Sequence, residues 1–214
     1  MRTTEMTISS DFVALQGLVC VPDGARGIVV FAHGSGSSRL SPRNQEVASI
    51  LQRAGLATLL FDLLTADEHA HDAVSAEYRF NIPLLGRRLS GALDWLLTQP
   101  ALAPLSIGLF GASTGAAAAL CAAAERPAQV RAVVSRGGRP DLAREALPLV
   151  KAPTLLIVGE LDTEVIRLNR LAAAHLACEH ELVIVPGATH LFEEPGKLDE
   201  TARLAAEWFS RWLV

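Results

Sequence analysis

"LSIGLFGASTGAAAALCAAAERP", residues 105–127, decides how the rest of the chain is read. Residues 105–110 form a short apolar run of the kind that suits a strand buried on both faces. Residues 114–126 are rich in alanine, the strongest helix former, and stop before Pro127. Between the two lies Gly111-Ala112-Ser113-Thr114-Gly115, which fits G-x-S-x-G in the strand-to-helix context that this motif requires. Glycines two residues either side of Ser113 let strand and helix approach closely. The serine hydroxyl then stands clear of the sheet at a helix N-terminus, whose amides favour developing negative charge.

The same alternation extends in both directions. Two antiparallel edge strands are expected near residues 4–9 and 12–21, ending at Pro22. "GIVVFA" is a strand followed by the Gly/Ser-rich turn "HGSGSS". "SPRNQEVASILQRAG" reads as a helix with Ser41 as N-cap, Pro42 at the first helical position and Gly55 as its stop. "LATLLFD" is a strand, "NIPLLGRRLSGALDWLLTQP" a helix, "VRAVVS" a strand and "RPDLAREALP" a short helix. "APTLLIVGE" is a strand, residues 162–177 are helical, "HELVIVPG" is a strand and "LDETARLAAEWFSRWL" is a final amphipathic helix. Residues 63–80 are expected to be the least structured part. Strands alternating with helices imply a mostly parallel sheet of eight strands, covered on both faces.

Composition bounds the function. With 214 residues, 50% of them hydrophobic, one domain over residues 1–214 has ample core. The net charge of -4 offers no basic stripe for nucleic acid and no polybasic tail for anionic lipid. Cys20, Cys121 and Cys178 are widely spaced without a CxxC, and "MRTTEMTISSDF" lacks the apolar core of a signal peptide. The expectation is a soluble cytoplasmic protein with reduced thiols.

Ligands of such sheets bind at the carboxyl ends of the strands. Three of the loops there supply Ser113, Asp162 in "VGELD" and His190 in "PGATH", in the chain order Ser, Asp/Glu, His that belongs to a serine nucleophile at such a strand-to-helix turn. A serine needs a base, here His190, and the base needs an orienting acid, here Asp162, with Glu160 as competitor. Two backbone donors are needed for an oxyanion: the amide of Thr114 directly after the serine, and that of Ser35 in "HGSG". His33 is expected to support its loop by hydrogen bonds. Arg136, Arg139 and Arg79 are possible readers of an anionic substrate group, each with local acids as alternative partners.

On His33-Gly34-Ser35-Gly36, Gly111–Gly115, Asp162 and His190, the chain resembles the α/β-hydrolase superfamily, and within it the dienelactone hydrolase-like group, over nearly its whole length. The resemblance implies a three-layer fold with Ser113 as nucleophile, His190 as general base and acid, and Asp162 as orienting acid. Dienelactone hydrolases proper carry cysteine at the nucleophile position; this chain carries Ser113, and Cys121 lies inside the following helix, so cleavage of a carboxylic ester is expected rather than of a lactone specifically.

Other readings have less behind them. "GSGSS" lacks the spacing and lysine of a phosphate-cradling loop. "DEHAHD", residues 67–72, reads as a solvated charged segment more than a metal site. Neither cofactor nor metal is implied. The short interval 136–151 leaves no room for a lid domain, so an open site for small or protruding acyl groups is expected, with residues 63–80 as a candidate flap. The substrate would be a small-molecule ester, with no nucleic-acid or membrane partner, and the protein a monomer or homodimer. The alternatives are an acyltransferase using the same triad and a non-catalytic binding module on the hydrolase fold.

Overall fold

The computed structural model describes residues 2–213. In chain order the elements are β1 (Thr3–Ser10), β2 (Val13–Cys20), β3 (Gly27–Ala32), α1 (Pro42–Arg53), β4 (Ala57–Phe61), α2 (Ala66–Ser75), α3 (Ile82–Leu97), β5 (Ser106–Ala112), α4 (Thr114–Glu125), β6 (Val130–Arg136), a 3-10 segment (Pro140–Leu149), β7 (Thr154–Gly159), α5 (Thr163–Ala173), β8 (His180–Val185) and α6 (Lys197–Trp212). The strands form one eight-stranded sheet in the order β1-β2-β4-β3-β5-β6-β7-β8. From β4 to β8 every pairing is parallel; β1–β2 and β2–β4 are antiparallel.

The apolar runs explain the layering. All six residues of β3 are buried, and they divide by parity. Ile28, Val30 and Ala32 join one core with α3 and α4, whereas Val29 and Phe31 join the other with α1 and α6. Period-two alternation inside a fully apolar strand serves two cores at once. This is a three-layer α/β-hydrolase architecture, as expected.

Three expectations change. Only β1 is an edge strand at its end of the sheet; β2 is interior, because Gly17–Cys20 pair with Phe61–Thr58 of β4. Residues 63–80 are not loose. Thr65 and Glu68 form a reciprocal capping box that starts α2, and Glu68 also binds Arg88 at 2.8 Å. The segment 140–149 is not one regular helix: it is 3-10 in character, with a break at Arg144 (φ 44°, ψ −111°) and Pro148 inside it. It is the only element between β6 and β7. Among the described residues no helix is long and apolar enough to cross a membrane.

Candidate active site

Ser113 sits between the end of β5 and the start of α4 with φ 51° and ψ −122°, a conformation that side chains rarely adopt. Holding a serine there costs on the order of 1–3 kcal/mol, which the surroundings must supply. They do so through backbone bonds. The Ser113 amide donates to Arg136 O (3.2 Å), and its carbonyl accepts from Ala116 N (3.1 Å) and Arg139 N (3.0 Å). The flanking glycines are a steric necessity. A Cβ on Gly111 would lie 2.4 Å from Ala116 Cα, and one on Gly115 would lie 2.1 Å from the Ala32 carbonyl oxygen.

The turn after β3 packs against this elbow, since a Cβ on Gly34 would meet Ser113 Cβ at 3.0 Å. Ser35 Oγ bonds Thr114 Oγ1 (3.1 Å) and donates to Arg79 O (3.3 Å), so the two residues expected to offer oxyanion amides are neighbours. Thr114 is the first residue of α4, and first-turn amides have no intrahelical acceptor.

His33 fixes this turn. Its Nε2 accepts from Leu63 N (3.0 Å) and its Nδ1 lies 3.0 Å from Gly34 O. The first contact requires a bare Nε2 and the second a protonated Nδ1, so the ring is a neutral tautomer. Burial lowers its pKa, an effect only partly offset by the Gly34 carbonyl and Asp62. Further along the same loop, Arg39 N donates to Asp62 Oδ1 (2.7 Å) and the Arg39 guanidinium pairs with the same carboxylate. The loop is thereby pinned to the end of β4.

Asp162 and His190 come together from the loops after β7 and β8, with Asp162 Oδ2 accepting from His190 Nδ1 at 2.6 Å. Asp162 occupies the N-cap position of α5 but makes no side-chain cap bond; its carboxylate is used on the histidine instead. Glu160, the competing acid, accepts from Gly187 N (2.7 Å) and so braces the loop rather than the imidazole. The His190 loop lies against the end of β6, since a Cβ on Gly137 would be 3.0 Å from His190 O and 3.5 Å from its Nδ1. Gly137 follows Arg136, the residue whose carbonyl holds the Ser113 amide. Ser113 occupies the N-cap position of α4 and makes no side-chain cap hydrogen bond; contacts of a catalytic hydroxyl are often long until substrate binds. The His190 side chain is 39% exposed, so the site faces solvent.

The three arginines separate. Arg79 donates through Nε to Asp72 Oδ2 (2.9 Å), and its amide and that of Tyr78 donate to Oδ1. Burial would raise the Asp72 pKa, but these donors together bring it below the ordinary value. Arg139 makes a two-point pair with Asp141 at 2.9 and 2.8 Å. Arg136 is 7% exposed and donates to Asn44 Oδ1 at 3.2 Å rather than to a carboxylate of the described residues. Cys121 is a half-buried thiol pushed up to about 11 by burial and by Glu125. His71 pairs with Glu77, and among the described residues no cluster of three or more His, Cys, Asp or Glu could hold a metal ion.

Residues 63–80, expected as a loose candidate flap, instead hold the helix α2 at this region. His69, Asp72 and Arg79 line a small pocket with Ser35 and Thr114. The signal was present in the T-x-x-E spacing of Thr65 and Glu68.

Known proteins agree with the architecture. A crystal structure of a dienelactone hydrolase from Anabaena variabilis is 57% identical, covers 100% of this chain and 99% of its own, and superposes with a TM-score of 0.98. Est1E from Butyrivibrio proteoclasticus shares the fold at 16% identity, with a TM-score of 0.80 over 97% of this chain and 98% of its own. Curated relatives from two strains of Mycobacterium tuberculosis are 55% identical over 209 residues, which is 98% of this chain and 46% of theirs, and carry a phosphoribosyl transferase name. The chain therefore spans about half the length of the curated relatives it matches. The family model of the dienelactone hydrolases matches residues 15–213, nearly everything from β2 to the end of α6, and to that family the chain belongs.

Proposed function

We propose that the protein is a serine hydrolase that cleaves a carboxylic ester or related acyl bond. The observation that carries this reading is the 2.6 Å contact between Asp162 and His190, on a loop packed against the strand end that holds Ser113. The Ser113 Oγ attacks the carbonyl carbon while His190 Nε2 takes its proton. Asp162 keeps the imidazole proton on Nδ1 and stabilises the imidazolium. The amides of Thr114 and Ser35 receive the oxyanion. His190 then protonates the leaving alcohol, and afterwards draws a proton from water, which releases the acid from the acyl-enzyme. With the imidazole open to solvent and a single 3-10 segment between β6 and β7, small or protruding acyl groups are favoured over long chains.

Ser113→Ala should lower kcat for 4-nitrophenyl acetate by roughly 10⁴–10⁶. Turnover near that of the unaltered protein would end the proposal. The phosphoribosyl transferase name of the mycobacterial relatives supports a second reading. We assign that name to the part of those relatives that this chain does not span, because this chain itself matches a hydrolase family over residues 15–213. Release of pyrophosphate from phosphoribosyl pyrophosphate by this chain would reverse that assignment. If the acyl-enzyme is intercepted by an alcohol or amine, the same groups make an acyltransferase, and product analysis with competing nucleophiles separates the two.

A further inference from the structure

The turn after β3 is anchored at both ends and exposed in its middle. His33 holds its start by accepting from Leu63 N, and Arg39 holds its end by donating to Asp62. Ser35 lies between these anchors at the surface, next to Gly36, whose φ of 67° is a conformation that glycine enters without strain. Ser37 N closes the turn on Gly34 O at 3.2 Å. An amide on such a turn serves a reacting oxygen when its peptide is kept in place, since a misplacement of about 1 Å can cost 10²-fold in rate.

The Ser35 side chain supplies that hold. A hydroxyl has a single hydrogen to donate. That of Ser35 goes to the Arg79 carbonyl (3.3 Å), which can only accept, so Thr114 Oγ1 donates to Ser35 Oγ at 3.1 Å. One chain of bonds, from the Thr114 hydroxyl through the Ser35 hydroxyl to the Arg79 carbonyl, thus ties together the two residues whose amides are assigned to the oxyanion. Thr114 is fixed as the first residue of α4. The far end of the chain is as firm as residue 79.

Arg79 lies in the connection between α2 and α3, and Asp72 fixes it there. The Asp72 side chain is buried in the last turn of α2. Its Oδ1 accepts from the amides of Tyr78 (2.7 Å) and Arg79 (2.9 Å), and its Oδ2 accepts from Arg79 Nε (2.9 Å). The Asp72 carbonyl also accepts from Arg79 Nη2. Backbone and side chain of Arg79 are therefore bound to one acid, while its carbonyl meets Ser35. A carboxylate in the last turn of a helix is opposed by the helix dipole, so the stability of α2 by itself does not account for an acid at this position.

We propose that Asp72 is a positioning residue of the oxyanion site, acting through Arg79 and the Ser35 hydroxyl to hold the Ser35 amide beside that of Thr114, a role that rests on the hydrolase reading. Residues 63–80 then brace the catalytic turn, and Arg79 is occupied in that brace instead of reading a substrate anion.

A double-mutant cycle on the full chain tests this, with the parent, Asp72→Asn, Ser35→Ala and the two combined. Ser35→Ala removes the hydroxyl and keeps the amide. The readouts are kcat and KM for 4-nitrophenyl acetate and the inhibition constant of a short-chain trifluoromethyl ketone. Ser113 Oγ adds to the carbonyl carbon of that ketone, its proton passes to His190, and the carbonyl oxygen becomes an oxyanion that the two amides receive. Asp72→Asn is expected to lower kcat about 10–100-fold with KM changed less than about 3-fold, and to weaken the ketone by a similar factor. On the Ser35→Ala background the same substitution is expected to lower kcat less than about 3-fold, because the link is already cut. If Asp72→Asn does not fold, Arg79→Met removes the side-chain half of the brace and completes the same cycle, with an expected loss of about 5–10-fold alone and less than about 2-fold on Ser35→Ala. An equal fall in kcat on both backgrounds, a change confined to KM, or a Ser35→Ala protein with unchanged kcat and unchanged inhibition overturns the proposal and leaves Asp72 as a support of α2. Turnover that survives Ser113→Ala sinks the hydrolase reading and this role with it; turnover lost on Ser113→Ala with an additive cycle sinks this role alone.

Discussion

Gly115→Ala is the smallest change that separates a nucleophile elbow from an ordinary tight turn. The new methyl carbon would sit 2.1 Å from Ala32 O and 2.6 Å from both Ala32 C and His33 O. These are backbone atoms at and just after the end of β3, which pairs with β5 through Ala32 and with β4 through Phe31, so no side chain can rotate out of the way. To restore the ordinary contact, which begins at 3.4 Å, the start of α4 and the end of β3 must part by more than 1 Å. Overpacking of this kind costs about 1–3 kcal/mol. The functional cost is separate. The displaced segment leads into Ser35, and a misplacement of about 1 Å in a catalytic constellation can cost 10²-fold in rate. Urea unfolding followed by circular dichroism gives the first quantity; kcat/KM for 4-nitrophenyl acetate gives the second. A Gly115→Ala protein with unchanged unfolding midpoint and unchanged kcat/KM would refute the reasoning that close approach at this position builds the site.

Asp162→Asn should preserve folding, since the side chain caps nothing in α5, yet lower kcat roughly 10³–10⁴-fold through loss of the imidazole tautomer and of imidazolium stabilisation; a loss under 10-fold would pass the role to another acid. The buried neutral His33 has a folded pKa below the unfolded 6.5, so the unfolded chain binds the proton first on acidification. Stability should therefore fall as pH drops below 6.5, by at most about 1.4 kcal/mol per pH unit from this group, and urea midpoints of His33→Gln should lack that component. The lowered Asp72 pKa acts in a different window: its contribution is present above 3.8 and is lost as pH falls further. Cys121, with its thiol pushed up to about 11, should react slowly with iodoacetamide at pH 7.5, and the ester turnover should survive that treatment; rapid inactivation would implicate the thiol in the chemistry.

Much of this was legible in the sequence because the physics is local. The six-residue apolar run of β3 and the glycine spacing around Ser113 announce a doubly covered strand and a strand-to-helix corner without any tertiary information. Asp162 and His190 could be matched because both follow strands of the same parallel sheet, and parallel strands bring their C-terminal loops to one edge. Strand order was not legible. The antiparallel insertion of β2 beside β4 follows from pairing across forty residues, which no local pattern records. α2 was hidden by its composition: "ADEHAHDAVS" has few apolar residues, and its capping box and the Glu68–Arg88 pair hold it instead. The arginines show the same divide. The bond of Arg139 to Asp141, two residues on, could be guessed, whereas the burial of Arg136 and its bond to Asn44 of α1 exist only in the folded chain.

In the proposed reaction Ser113 carries the acyl group. Labelling the full chain with a fluorophosphonate and mapping the adduct by peptide mass spectrometry tests it most directly. One stoichiometric adduct is expected on the peptide containing Gly111–Gly115, located on Ser113 and absent from Ser113→Ala. No adduct, or an adduct on another residue that persists in Ser113→Ala, would contradict it.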